Sequence, residues 1–565
     1  MTSSTRPRLA FVATSLTVLV AAWLVVTVVD LDPKVESDFF FSTDDPQLQA
    51  SRRIGELFPA GEQILVGALS PDIASDDYVE RIRGLTDALA ALDDVASVHS
   101  LTSGPGAPQA VADSPLWSRL LLGDNPNLTQ LVVSLAPDAD GRALVAGMET
   151  LLAEHDRPSF QLDASGVPWV VEQIRRALGR DLRVFSTAAL IVFGLLVALV
   201  YRSVWIVAGT LFSCLGACLV TLAVLWWIGA PIGLLTANIV TLVFVLTLSH
   251  LVFLTANWRR AMAIADRDAE ARASATDEAV GQTFAASVWC MATTLLGFGS
   301  LLFANAKPLR ELGLAGAVGT AVAIAVAYGL YPGILHRLAG RSSANGQPRV
   351  AAEGRFGQRL AQARVPATIG ILAVTVFAAL GLPRLDTDPN LLSYFDADSA
   401  LYEGLERIDR HGGSSPLDLV VRHPDGERLD TKAAQERMVV LQDALEADPA
   451  VASALSLPVL LGEAKLAPMA FMLSSEQLVD IMGSAAFDRV ALGFVTEDRT
   501  LGRYFIRLRE ADLAEPRRDV IARLQASVED AGLELEATGG LYELQASLGE
   551  LVRSSVVRGL AGLFV

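Results

Sequence analysis

The sequence predicts a membrane α-helical bundle that carries external α+β, ferredoxin-like domains, in a duplicated arrangement that is C-terminally incomplete. Three observations predict this: uncharged runs long enough to cross a bilayer, two long acidic segments between them with alternating strand and helix patterns, and the return in the second segment of the order seen in the first. Of 565 residues, 52% are apolar and 19% charged, whereas a soluble domain is nearer a quarter charged. A formal charge of -18, from 45 basic and 63 acidic residues, argues against a nucleic-acid partner, which would be held by counterion release.

Residues 9–29 hold no Asp, Glu, Lys or Arg, and a helix needs roughly 20 such residues to cross the hydrocarbon core. Residues 184–200, 204–256, 284–306, 312–335 and 365–383 are also uncharged. The second of these runs accommodates two helices, broken at Gly229-Ala230-Pro231, where Gly and Pro favour a turn. The chain therefore reads as a cytoplasmic N-terminus at 1–8, span one at 9–29, and a first external domain at 30–183. Spans two to six follow within 184–335, then an Arg-rich cytoplasmic linker at 336–364 and span seven at 365–383. A second external domain at 384–550 leads to the start of an eighth span at 551–565.

Orientation follows from the arginines, since cytoplasmic loops retain Lys and Arg. Arg6 and Arg8, Arg202, Arg259 and Arg260, and Arg337 through Arg364 all fall on one side when the N-terminus is cytoplasmic. The two long segments then lie outside, each with an excess of about a dozen or more acidic residues. Cleavage of the first span as a signal peptide is disfavoured by its length and by Val28-Val29-Asp30-Leu31, which offers no small-residue site. Cys214, Cys218 and Cys290 all lie in spans, so the external domains form no disulfide. Cys214 and Cys218 share a helix face and read as packing residues.

In the first external segment, residues 63–69 read as a strand, 76–92 as an amphipathic helix and 95–101 as a strand. A second unit follows at 128–135, 141–154 and 159–162, after which 166–180 leads helically into span two. The later segment repeats this at 417–421, 431–445 and 451–457, then 501–508, 516–530 and 533–536. Paired βαβ units of this size suggest a ferredoxin-like split fold.

Local wording points to duplication. Val95-Ala96-Ser97-Val98-His99-Ser100-Leu101 faces Val451-Ala452-Ser453-Ala454-Leu455-Ser456-Leu457. Leu31-Asp32-Pro33 faces Leu385-Asp386-Thr387-Asp388-Pro389, and Leu162-Asp163-Ala164-Ser165-Gly166 faces Leu535-Glu536-Ala537-Thr538-Gly539. Five spans follow the first external domain, while the second half stops at Val565, so the expectation is a fragment or truncated frame lacking five further spans. A parallel repeat of this kind is a transporter signature.

One span, a large external domain, five spans and then a repeat is an order that resembles the resistance-nodulation-division (RND) superfamily of exporters, specifically its MMPL-like and hopanoid-exporter-like members. The local match comprises Asn238-Ile239-Val240-Thr241-Leu242, Asn257-Trp258-Arg259-Arg260, Glu278-Ala279-Val280-Gly281, Thr293-Thr294-Leu295-Leu296-Gly297-Phe298-Gly299 and Lys307-Pro308-Leu309-Arg310-Glu311-Leu312-Gly313. The resemblance implies porter-type external domains, a cell (inner) membrane location, and export of hydrophobic or amphiphilic molecules, lipids above all. It is compatible with a monomer or a homo-oligomer.

Proton-driven members carry an aspartate in the middle of span four. Here that position is Ser249-His250, and span four contains no acid. An ionisable side chain in lipid is expensive unless it faces the bundle interior or a wet cavity, and a histidine titrates near neutral pH. His250, with Ser249 and Thr247, is therefore the candidate polar site of the membrane. Proton coupling, plain interhelical hydrogen bonding and a substrate or lipid contact are the three readings it leaves open.

No Gly-x-x-x-x-Gly-Lys-Ser/Thr loop is present. Gly313, Gly316 and Gly319 lie within span six with no preceding strand and read as helix-packing positions, and Asn238 reads as a structural hydrogen-bonding residue. His99, His155, His336, His411 and His423 lack partners at metal-ligand spacing, and no Gly-x-Ser-x-Gly elbow occurs. Asp76-Asp77 and Asp93-Asp94 read as solvated caps. No catalytic residue, cofactor or metal is therefore expected. Residues 259–282, alternating Ala with charges, predict a helix on the cytoplasmic surface, and the Arg-rich linker suits contact with anionic lipid. The rival to transport is a non-transporting sterol- or lipid-sensing membrane module, consistent with the missing aspartate.

Overall fold

The long apolar runs form long helices. The computed structural model describes residues 5–30, 41, 45–59, 61–103, 108–136, 139–230, 233, 235–265, 269–339, 364–380, 392–484, 489–511 and 515–551. The expected pairing of Leu31-Asp32-Pro33 with residues 385–389, Pro231 of the turn, linker residues 340–363 and residues 552–565 lie outside these. The described residues fall into a helical unit, drawn from Met1–Lys34 and Arg175–Thr387, and a sheet-containing unit, drawn from Val35–Ile174 and Asp388–Leu551.

The helical unit contains α1 (Thr5–Thr27), most of α7 (Val167–Tyr201), α8 (Val204–Trp227), α9 (Ile239–Ala265), α10 (Ala269–Leu301), α11 (Lys307–Ala339) and α12 (Arg364–Ala379). The first six are long and apolar enough to cross a membrane, whereas the apolar part of α12, Thr368–Ala378, is shorter. Helix α11 packs against α1, α8, α9 and α10. Its glycines are contact points: a Cβ at Gly313 would lie 2.7 Å from the Phe298 carbonyl oxygen, one at Gly316 would strike the Phe298 ring, and one at Gly319 would strike Val243. Small residues let helix backbones approach closely where no hydrophobic drive separates helix from lipid.

The outer faces remain greasy, with Leu16, Trp23, Leu199, Phe253, Trp289 and Phe377 exposed. Trp205 and Trp227, both exposed, stand at the two ends of α8, about 33 Å apart along its axis at 1.5 Å per residue. That separation matches a hydrocarbon core of ~30 Å with an aromatic belt on each side. The surface helix expected over 259–282 is not a separate element among the described residues. Helix α9 continues to Ala265 and α10 begins at Ala269, because the stretch is rich in strong helix formers and contains no Pro.

The sheet-containing unit begins with α2 (Pro46–Leu57), capped by Asp45, whose carboxylate accepts from the amides of Gln47 and Leu48. Strand β1 (Gln63–Leu69) leads to α3 (Asp76–Ala90), β2 (Val95–His99), α4 (Pro108–Asp113), α5 (Pro115–Leu121), β3 (Leu128–Leu135), α6 (Gly141–His155) and β4 (Gln161–Ser165). The later part runs α13 (Ala400–Gly412), β5 (Ser415–Arg422), α14 (Lys432–Glu446), β6 (Val451–Leu455), α15 (Leu457–Ala464), α16 (Ser475–Met482), β7 (Leu501–Leu508), α17 (Arg517–Asp530) and β8 (Glu534–Gly539). Residues 541–551 are again helical.

Both sheets are four-stranded, in the order β2-β3-β1-β4 and β6-β7-β5-β8, and every neighbouring pair is antiparallel. The registers correspond. Gln63 faces Ser134 as Pro416 faces Arg507, and a bulge follows Val95 and Val451 alike. Gly166 and Gly540, both at positive φ, close the last strands against Gln63 and Pro416 in the same way. The residue-by-residue match read from sequence after Leu162 is therefore displaced by one. A bulge between Val420 and Val421 leaves Glu536 unpaired in β8, so Gly166 corresponds to Gly540 and not to Gly539.

The two sheets exchange helices. Helix α13, which precedes the second sheet, packs on β4 and β1 of the first, while α2, which precedes the first, packs on β8 of the second. Gly67 leaves room for Ile408, whose Cγ1 would be 3.0 Å from a Cβ there, and Gly539 leaves room for Ile54 at 2.8 Å. Ion pairs close the seam: Arg119 grips Glu446 at 2.5 and 2.8 Å, Arg509 meets Asp124 at 2.5 Å, and Arg407 meets Asp163.

Candidate functional site

Within the helical unit, α9 places Thr247 and His250 on its buried face and Ser249 on its exposed one. Residues three apart share a helix face and neighbours do not, so the trio read from sequence is divided. Thr247 Oγ1 donates to the Val243 carbonyl at 2.8 Å, and Ser249 Oγ to that of Leu246 at 2.8 Å. His250 is 5% exposed, and no side-chain hydrogen bond joins it to a described residue. The Oδ1 of Asn238 and the Oγ1 of Thr241, at the start of the same span, are also buried without a partner among the described residues.

Sequence reading missed a second polar knot in the bundle. The Tyr331 hydroxyl lies 3.1 Å from Thr210 Oγ1 and 2.8 Å from Thr255 Oγ1, joining α11 to α8 and α9. Tyr201 Oη donates to the Val252 carbonyl at 3.0 Å. Cys214 and Cys218 are buried, and Cys218 Sγ donates to the Val240 carbonyl at 3.3 Å. Among the described residues no group of His, Cys, Asp and Glu gathers at metal-ligand distances.

The sheet-containing unit holds a cleft of about 650 Å³. Its floor is one face of the second sheet. On β7, Tyr504, Ile506 and Leu508 enter the core, while the intervening Arg503, Phe505 and Arg507 line the cleft, as the two-residue period of a strand requires. Helix α2 supplies Leu48, Ser51 and Arg52, the first sheet Gln63 and Leu65, and the final helical stretch Leu541 and Leu544. Leu48 and Leu544 belong to one apolar cluster with Phe41 and Leu548.

Both signs of charge line the cleft. Arg503 Nε donates to Asp418 at 2.6 Å, and its guanidinium stands 5.1 Å from the Phe505 ring centroid. Arg507 is 5% exposed. It donates to Gln130 Oε1 at 2.7 Å and to the Arg119 and Leu120 carbonyls at 3.0 Å each. Burial pushes its guanidinium down to about 10. A space of this size with an apolar wall and a few fixed polar groups is the usual form of a small-molecule site.

The profile of the MMPL family matches residues 40–369, more than half of the chain. The chain belongs to the MMPL family. A search of curated proteins finds no match. Family membership and six apolar helices make it a multi-pass membrane protein, and the members of the MMPL family are transporters rather than enzymes. The cleft was legible in one signal that the sequence reading passed over: in residues 501–508, Arg503 and Arg507, four apart and so on one face of a strand, break the apolar pattern of a buried strand.

Proposed function

We propose that this MMPL protein exports hydrophobic or amphiphilic molecules, lipids foremost, across the cell (inner) membrane. In this reading its N-terminus is cytoplasmic, its sheet-containing unit is external, and the cleft on the second sheet holds the molecule in passage. The cleft carries the proposal, because its lining joins apolar side chains to buried arginines and so suits a molecule with a tail and a polar head. The shared strand order and the exchanged helices support two ferredoxin-like, porter-type lobes derived from one duplicated module.

His250 is proposed as the proton-responsive group of the bundle, supported by its burial in mid-span without a hydrogen bond to a described residue. The test is efflux of a fluorescent fatty acid from phosphatidylcholine vesicles holding the full chain, with and without an imposed pH gradient. Gradient-stimulated efflux is expected in the parent and not in His250→Ala. Equal stimulation of both removes His250 from the proton path, and no efflux from the parent under either condition contradicts transport.

A further inference from the structure

Among the described residues, two cations in the cleft have no counter-charge. Of these residues, Arg52, Arg489, Arg503 and Arg507 line it with Glu62 and Asp418, and Asp418 is taken by Arg503. Neither Arg489 nor Arg507 forms an ion pair with a described residue. Arg489 is exposed at the rim, so water solvates it. Arg507 is different. Its Nη1 and Nη2 donate to an amide oxygen and two backbone carbonyls, which orient the guanidinium, leave part of its five-donor fork for a ligand, and do not balance its charge. A guanidinium remains protonated at neutral pH, and a buried charge without a partner is costly.

We propose that the cleft selects amphiphiles with an anionic head, a carboxylate or phosphate, over neutral ones with the same tail. This rests on the reading of the cleft as the substrate site and adds the class of substrate. The anion completes the charge balance at Arg507 and is met at the rim by Arg489. The tail lies along Leu48, Phe505, Leu541 and Leu544. A guanidinium suits either head, because its planar donors match both oxyanions. The low dielectric around a largely buried cation strengthens its pull on an incoming anion.

The test uses the full chain in phosphatidylcholine nanodiscs, titrated with cis-parinaric acid and separately with its methyl ester, against protein-free nanodiscs as background. The two probes share a tail and differ in charge. The acid is expected to bind at least roughly tenfold tighter than the ester, the scale of one charge-assisted hydrogen bond. Arg489→Ala, at an exposed position, is expected to reduce that preference several-fold, and Arg507→Gln to abolish it. Dodecyl phosphate is expected to displace the acid, while inorganic phosphate at equal concentration is not, which separates a lipid head from a free anion. Equal binding of acid and ester overturns the charge selection and leaves the cleft standing as a site. Failure of both probes to bind above background overturns the site itself, and displacement by inorganic phosphate alone overturns the amphiphile.

Discussion

The Asp418–Arg503 pair shows how single residues hold the cleft in shape. Their side chains are 11% and 9% exposed and 2.6 Å apart, so each neutralises a charge that water no longer reaches. Removing one partner leaves the other buried alone, which costs about 3–5 kcal/mol, whereas replacing both with apolar residues of similar volume is near neutral. In denaturant melts of the purified chain, Asp418→Ala should therefore be strongly destabilising and Asp418→Leu with Arg503→Met much less so. Equal losses would mean that the pair is solvated and that the floor of the cleft is open to water. Sequence alone showed these residues only as members of strands, since Asp418 and Arg503 are 85 positions apart and no local spacing announces their meeting.

At the scale of elements, the exchange of α2 and α13 makes each sheet depend on the other segment of the chain. Ile54 and Ile408 are buried at 2% and 0% exposure, and each fills the space left by a glycine on the opposite sheet. Ile54→Ala and Ile408→Ala should each cost about 2–5 kcal/mol, as core truncations do. The two losses should nearly add, because Ile408 packs against Gly67 of the first sheet and Ile54 against Gly539 of the second. A loss below about 0.5 kcal/mol for either would show that its helix is not docked as described. The strands and the helices that follow β1, β3, β5 and β7 were legible from their periods, whereas α2 and α13 were not read, although Asp45 and Ser399 cap them as clearly as Ser75 and Thr431 cap α3 and α14. The exchange was not legible, because an amphipathic face reports that a helix is covered and not which sheet covers it. The bulge at Glu536 was hidden for a related reason, since a one-residue insertion looks like an ordinary substitution until pairing is known.

The whole molecule combines an apolar bundle with Ser, Thr, Tyr and His side chains buried inside it, a sheet-containing unit with a charged, part-apolar cleft, and membership of a transporter family. Membrane character was the most legible property, because charge is absent over lengths set by the bilayer. The cleft was the least legible, since its lining comes from both halves of the chain. The account is tested most directly by photo-crosslinking a diazirine fatty acid to the full chain in membranes and mapping the adducts by mass spectrometry. Adducts on α2, on the strand bearing Phe505 and on residues 541–551, suppressed by Arg507→Gln, are the predicted result. Adducts confined to the membrane-crossing helices, with none in the cleft, would contradict it.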